Sequence, residues 1–409
     1  MAPKQPVAGP SRPRREPLDA QSPPLPAKVS AFNHSRTSFA LALPVLGAAD
    51  KVSVWDVATD RVIAEWEVEG ASKVTTICWA STPSTASAST STSTRKRKKR
   101  RKSNGTDLED VVLITTAKGD LIVFSPERGE VLRKDELPTP VTAAWSDDRA
   151  VLFAAASAIL VFDPDLSTSP RSFALPANMP TPTAIAVLRT SSSESLELVV
   201  GSMSVFTLRV DMKTNAASVM TKPVPVSTSS VASLVPLPST TEGASFLVVS
   251  DDDRTVSQYT VPVAQAAIKL SYRYASTTLS PVHSVAISPN LLSVLHTSGE
   301  ISLFPIPTEL DFSRPRTDSN PSAVKLVEGK DERIAKICRL DFANSEQGIT
   351  QALICGRMAG AGRVKWHRVV YESPDGGMRR ATTVKCDAQD LTSAAVAGNA
   401  SLLPPNASR

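Results

Sequence analysis

Histidine and cysteine are scarce in this chain, four of each among 409 residues, and neither is grouped as a metal site requires. The cysteines, Cys78, Cys338, Cys355 and Cys386, include no Cys-x-x-Cys pair. Cys78, Cys338 and Cys355 fall in apolar strand-like runs, where a reduced, buried thiol in a reducing compartment is expected. His34, His283, His296 and His367 stand at no ligand spacing, so no metal is expected. Long apolar runs are lacking too. The longest, "AVLFAAASAILVF" at 150–162, is well short of the ~20 residues a membrane helix needs. It reads as two buried strands joined by a tight turn near Ser157. The opening "MAPKQPVAGPSRPRREPLDAQSPPLP" has no apolar core of a secretory signal. Helical period is almost absent. Short β-branched runs punctuated by Gly, Asp, Ser and Pro predict an all-β body.

Catalytic patterns are missing as well. "GRMAGAGR" at 356–363 has the glycine density of a phosphate loop but the wrong spacing, and it lies between two strands, so a hairpin turn is expected. "SDDDRTVSQY" at 250–259 offers clustered carboxylates, but a turn entering a strand accounts for them. The reading is that the chain is no enzyme and takes no cofactor.

What is present is repetition. A motif of Val or Ile, small residues and then a large apolar group opens "VTTICWA" (74), "VTAAWS" (141), "VASLVPL" (231), "VHSVAIS" (282) and "IAKICRLDF" (334), with "TAIAVL" (183) a weaker copy. A second motif follows each after an apolar strand and a turn, and carries an aromatic: Trp55, Phe124, Phe162, Phe206, Tyr259, Phe304 and Trp366. These seven are separated by 38 to 69 residues, and the two longest gaps contain polar inserts. Without the inserts the period is about 40–45 residues, that of a four-stranded propeller blade. Seven blades over residues 29–387 is the expected count, with each aromatic packing between neighbouring blades.

"DKVSVWDVATDRVIAEWEV" resembles the third and fourth strands of a WD-repeat blade, with its Trp-Asp pair at Trp55–Asp56. The Gly-His pair of that family is missing and Trp-Asp occurs once, so the repeats are degenerate. The order is more specific. A blade ending "VWDVATDRVIAEWEV" is followed by "VTTICWA", a Ser/Thr-rich and basic insertion, then "DVVLITTAKGDLIVFSPERGEVL". This resembles the U three protein five family, nucleolar WD-repeat subunits of the UTP-A (t-UTP) group of the small-subunit processome. The likeness spans residues 29–180, and beyond them only as propeller. It implies a role in pre-rRNA transcription and small-subunit rRNA maturation among protein subunits of a pre-ribosomal particle. The helical C-terminal domain of that family has no counterpart in 388–409, which read as a disordered tail.

Charge is concentrated. Arg95, Lys96, Arg97, Lys98, Lys99, Arg100, Arg101 and Lys102 supply +8, and the Pro/Arg-rich segment 1–28, expected to be disordered, supplies +3. With both set aside, the formal net charge of +5 becomes −6 for the body. The tract ends an insert, 81–107, whose first half "STPSTASASTSTST" cannot bury itself. An extended basic run between two strands suits an importin groove, which makes it a nuclear localisation signal. The same charges can neutralise phosphates by counterion release. No aromatic is interleaved, so any contact with pre-rRNA should be sequence-tolerant and salt-sensitive. Ser103 is a candidate phosphorylation site.

The expected function is thus a non-enzymatic nuclear and nucleolar scaffold. Two rivals are a ubiquitin-ligase adaptor and a chromatin reader. The first often carries Trp-Asp-x-Arg, where this chain has Trp55-Asp56-Val57-Ala58; the second would suit the acidic body.

Overall fold

The computed structural model describes residues 29–385 except 36, 44–48, 57–58, 60, 84–107, 177, 193, 241–242, 252, 264, 289–290, 299, 308–314, 320, 326–331, 341–348, 359–363 and 373–379. Side chains are described as far as Pro321. Apart from one 3-10 turn at Glu69–Ala71, every described element is a strand.

Each sheet is built on four strands paired antiparallel in chain order, and two of the sheets carry a fifth. Blade one is β1 (Ser30–Phe32), β2 (Ser38–Leu43), β3 (Lys51–Asp56) and β4 (Arg61–Glu67). Blade two is β5 (Val74–Pro83), β6 (Leu108–Thr116), β7 (Asp120–Ser125) and β8 (Glu130–Glu136). Blade three is β9 (Val141–Ser146), β10 (Val151–Ala155), β11 (Ala158–Phe162) and β12 (Arg171–Ala174). Blade four is β13 (Ala184–Ser192), β14 (Ser195–Gly201), β15 (Ser204–Asp211) and β16 (Ala216–Val219), and the short β17 (Val224–Pro225) also pairs with β15. Blade five is β18 (Val231–Pro236), β19 (Gly243–Ser250), β20 (Thr255–Pro262) and β21 (Lys269–Ala275).

Blade six starts with β22 (Val282–Ser288), β23 (Leu291–His296) and β24 (Glu300–Pro305). Its chain then departs to lay β25 (Arg316–Asp318) parallel to β21, and returns as the closing strand β26 (Ser322–Lys325). A further sheet, described by its strand pairing alone, is β27 (Glu332–Leu340), β28 (Ile349–Met358), β29 (Val364–Glu372) and β30 (Arg380–Lys385). The first strands are neighbours in sequence: β1 beside β5, β5 beside β9, β9 beside β13, β13 beside β18. β27 lies beside both β22 and β1. The molecule is an all-β propeller. Six blades show their packing, and the first and last sheets exchange no strand.

Position in the blade explains the sequence pattern. Second strands are sandwiched by a neighbouring blade on each face, so β10 and β23 are buried throughout and read as unbroken apolar runs. Outermost strands meet water, and β8, "EVLRKDE", has no fully buried residue along its length. The turn expected near Ser157 is Ala156–Ser157, between β10 and β11.

In five of the repeats the opening motif is a β-bulge. Pairing skips one residue after the first Val or Ile, leaving Thr75, Thr142, Ala232, His283 and Ala335 as the extra residue. This end of the strand is also where blades are fastened. The amides of Val74, Val231 and Val282 donate to the Asp50 carboxylate (2.9 Å), the Ser202 carbonyl (2.6 Å) and the Asp253 carbonyl (2.8 Å) of the preceding blade. The Thr142 hydroxyl donates to the Pro182 carbonyl at 2.6 Å, and that of Thr183 to the Val231 carbonyl at 2.7 Å, each reaching the next blade. Gly201 permits this approach, because a Cβ there would meet Val231 Cγ1 at 2.9 Å.

Candidate interaction site around the basic insert

Every expected aromatic lies on the third strand of its sheet: Trp55 on β3, Phe124 on β7, Phe162 on β11, Phe206 on β15, Tyr259 on β20, Phe304 on β24 and Trp366 on β29. The first six are buried, and the side chain of Trp366 lies outside the described residues. Direction is consistent. Phe124 packs with Val52 and Val54 of blade one, Phe162 with Val111 and Leu113 of blade two, and Phe206 with Leu152 and Val161 of blade three. Tyr259 meets Val199 and Val205 of blade four, and Phe304 meets Val249 and Val256 of blade five. Each aromatic therefore fills the seam with the preceding blade. Trp55 belongs to the first blade, and it is absent from the cluster that joins blades one and two. It is 7% exposed, and its cross-strand neighbour Phe39 is fully buried.

Tryptophans that the repeat pattern left without a role also matter. Trp79 on β5 is almost fully buried and its Nε1 donates to the Ala31 carbonyl of β1 at 2.9 Å. Trp145 ends β9 with the Arg149 guanidinium 5.8 Å above its ring. Their signal was a Trp near the end of the opening motif, in "CWA" and "AWS".

The first strands surround a central channel of about 630 Å³. Its walls carry the hydroxyls of Thr75, Thr142 and Thr183 among small apolar groups, with Phe32, His34 and Trp145 toward the ends of β1 and β9. Among the described residues, none of those lining it is acidic, Lys or Arg.

The basic tract, Arg95 to Lys102, lies outside the described residues, but both ends of its insert are placed. The sequence put the insert at 81–107. Strand β5 runs on to Pro83, so Ser81, Thr82 and Pro83 pair with Asp110, Glu109 and Leu108. The correction has a cause in tertiary contacts. Asn33 of blade one donates to Asp110 Oδ2 at 2.8 Å, while Ser81 donates through its hydroxyl to Asp110 Oδ1 (3.2 Å) and through its amide to the Pro164 carbonyl of blade three (3.4 Å). Behind them Glu109, 4% exposed, accepts from the Ser125 hydroxyl and from Arg128 at 2.6 Å. This stalk is held by both neighbouring blades. A groove of about 290 Å³ beside it is lined by Pro83, Val123, Leu132 and Leu166, with Arg128, Arg133 and Asp165 at its rim. Hydrogen bonds from Ser167 hold the Asp165 carboxyl below its usual range.

Two of the scarce titratable groups, Cys78 and His296, are built into the framework. Cys78 packs between blades two and three, and burial pushes its thiol up to about 12, which removes nucleophilicity. His296 is buried between the Ser280 carbonyl and the Ser302 hydroxyl, both at 3.1 Å, and burial lowers its pKa. Asp253 caps the turn into β20, accepting from the amides of Arg254 and Thr255 at 2.7 and 3.1 Å. That is the turn expected for "SDDDRTVSQY". The "GRMAGAGR" glycines fall between β28 and β29, whose Arg357 and Val364 pair; residues 359–363 themselves lie outside the described residues. Among the described residues no three His, Cys, Asp or Glu gather as a metal site.

No protein-family model matches this chain, and no curated protein sequence does either. Solved structures do. The β-propeller domain of Cps50 (Swd1) from Myceliophteria thermophila is similar over 85% of this chain and 97% of its own, at 14% identity and a TM-score of 0.50. Hsv2 of Kluyvelomyces marxianus covers 88% of this chain and 99% of its own at 11% identity, with a TM-score of 0.46. U3-55K covers 66% of this chain and 77% of its own at 12% identity, with a TM-score of 0.41. At such identities a likeness extends to the fold and no further.

Proposed function

We propose that this chain is a non-catalytic nucleolar scaffold, a seven-bladed propeller in the manner of U three protein five, working in pre-rRNA transcription and small-subunit rRNA maturation. The observation that carries this reading is the stalk. Eight consecutive basic residues are inserted into the first hairpin of blade two, and that hairpin is clamped by blades on both sides. A clamped base carries a dense cationic segment, in a chain whose body has the opposite formal charge. Importin binding and sequence-tolerant contact with pre-rRNA are the two uses such a segment suits. The interlocked blades supply surfaces for protein subunits. In a protein of this kind the work is assembly.

The test is affinity purification of the tagged chain from nuclear extract at two salt concentrations, with protein and RNA identified. The proposal expects small-subunit processome proteins and pre-rRNA, with the RNA lost first as salt rises. Ubiquitin-ligase subunits or histones in their place would refute it.

A further inference from the structure

Independently of the nucleolar reading, strand β25 departs from the plan of the blades. Among the described residues it is the one strand that leaves its own blade to join the outer edge of another, pairing Arg316, Thr317 and Asp318 with Tyr272, Arg273 and Tyr274 of β21. The attachment is three residues long, so its grip on blade five rests on few backbone bonds. Arg316, Thr317 and the following Ser319 are exposed. The local sequence is Arg314-Pro-Arg-Thr-Asp-Ser319, with arginines five and three residues before a serine. That spacing, with Arg316–Asp318 extended, fits a kinase cleft that reads two cations upstream of the acceptor hydroxyl.

We propose that Ser319 is phosphorylated by a basic-directed serine/threonine kinase, and that the phosphate fastens β25 to blade five through Arg273. The register supports the second half. Thr317 is opposite Arg273, and side chains alternate along an extended chain, so Ser319 returns to the face that carries Arg273. Diagonal neighbours on paired strands are roughly 7–8 Å apart, within reach of an arginine. Arg273 is exposed. Asp318 belongs to the opposite face, with Tyr274. In the transfer, Ser319 Oγ bonds to the γ-phosphorus of ATP, the bond to the β-phosphate oxygen breaks to release ADP, and the hydroxyl proton passes to the kinase base. The added charge, about −1.5 to −2, then meets a guanidinium able to bind it in bidentate fashion. The strap becomes a charged staple between blades five and six.

The experiment treats the full chain with a purified serine/threonine kinase selective for arginine at both upstream positions, plus magnesium ATP, and maps phosphate by mass spectrometry. Amide exchange is then followed over 272–275 and 316–318. We expect phosphate on Ser319 and about tenfold slower exchange in both segments, the size of one charge-assisted contact. Arg273→Ala should still accept phosphate but show no slowing, and Ser319→Ala should accept none. Phosphate confined to Thr317 or Ser313, a folded chain left unmodified at Ser319, or exchange that is unchanged or faster after modification would overturn the proposal.

Discussion

The first hairpins of blades two and three share a plan and differ in what they carry. In blade three, β9 and β10 are closed by Asp147–Ala150, where the Asp147 carboxylate accepts from the amides of Arg149 and Ala150 at 2.8 and 3.2 Å. In blade two the same hairpin continues to the Pro83–Leu108 pair, and 24 residues (84–107) intervene before the chain returns. The seams below the two are alike: Phe124 and Phe162 fill them, and both are buried to within 1%. The difference lies above the core. Asp147 needs only its own turn, whereas Asp110 and Glu109 recruit Asn33, Ser81, Ser125 and Arg128. A long insertion costs little in loop closure once its stem is fixed. Clamping the stem lets the framework ignore the insert's composition.

The comparison can be broken at several depths. The largest effect should come from the shared seam: Phe124→Ala and Phe162→Ala should each lose about 3–5 kcal/mol in urea unfolding, alike in both blades. A much smaller loss in blade two would mean that its insert had loosened the core. Next, Glu109→Ala removes the partner of a partly exposed Arg128 and should cost about 1–3 kcal/mol. The double change Glu109→Leu with Arg128→Met should recover much of that; if it does not, the pair is not what holds the stalk. Cys78 reports on the seam between the two blades. With its thiol pushed up to about 12 by burial, it should resist alkylation in the folded chain and react on unfolding. The smallest effect should follow replacement of 84–107 by Asn-Gly, within about 1 kcal/mol of the parent. Rapid alkylation of Cys78 in that variant would show that the insert does support the framework.

Much of the propeller was legible because sandwiching leaves a local trace. A strand covered on both faces must be continuously apolar, and a third strand facing the preceding blade takes an aromatic, so β10, β11 and Phe162 could be placed from "AVLFAAASAILVF" alone. Features set by register across the chain left no such trace. The bulge at Thr142 looks like any strand threonine until its hydroxyl reaches Pro182. Strand β5 ran three residues into a Ser/Thr-rich stretch because Asn33, 77 positions before Asp110, meets it there. Glu109 reads as a surface charge although Arg128 and Ser125 bury it. Strand β25 lies in a polar insert with no strand signature, and its pairing comes from the free edge of β21. The basic tract was plain in sequence, whereas its stalk appeared only in the fold.

The most direct test compares three tagged chains in living cells: the parent, Arg95–Lys102 changed to alternating Ala and Ser, and 84–107 replaced by Asn-Gly. The account predicts that the parent concentrates in nucleoli, and that both variants keep the parent's unfolding midpoint yet lose nucleolar accumulation. A parent outside the nucleus, or variants that reach the nucleolus as the parent does, would contradict it.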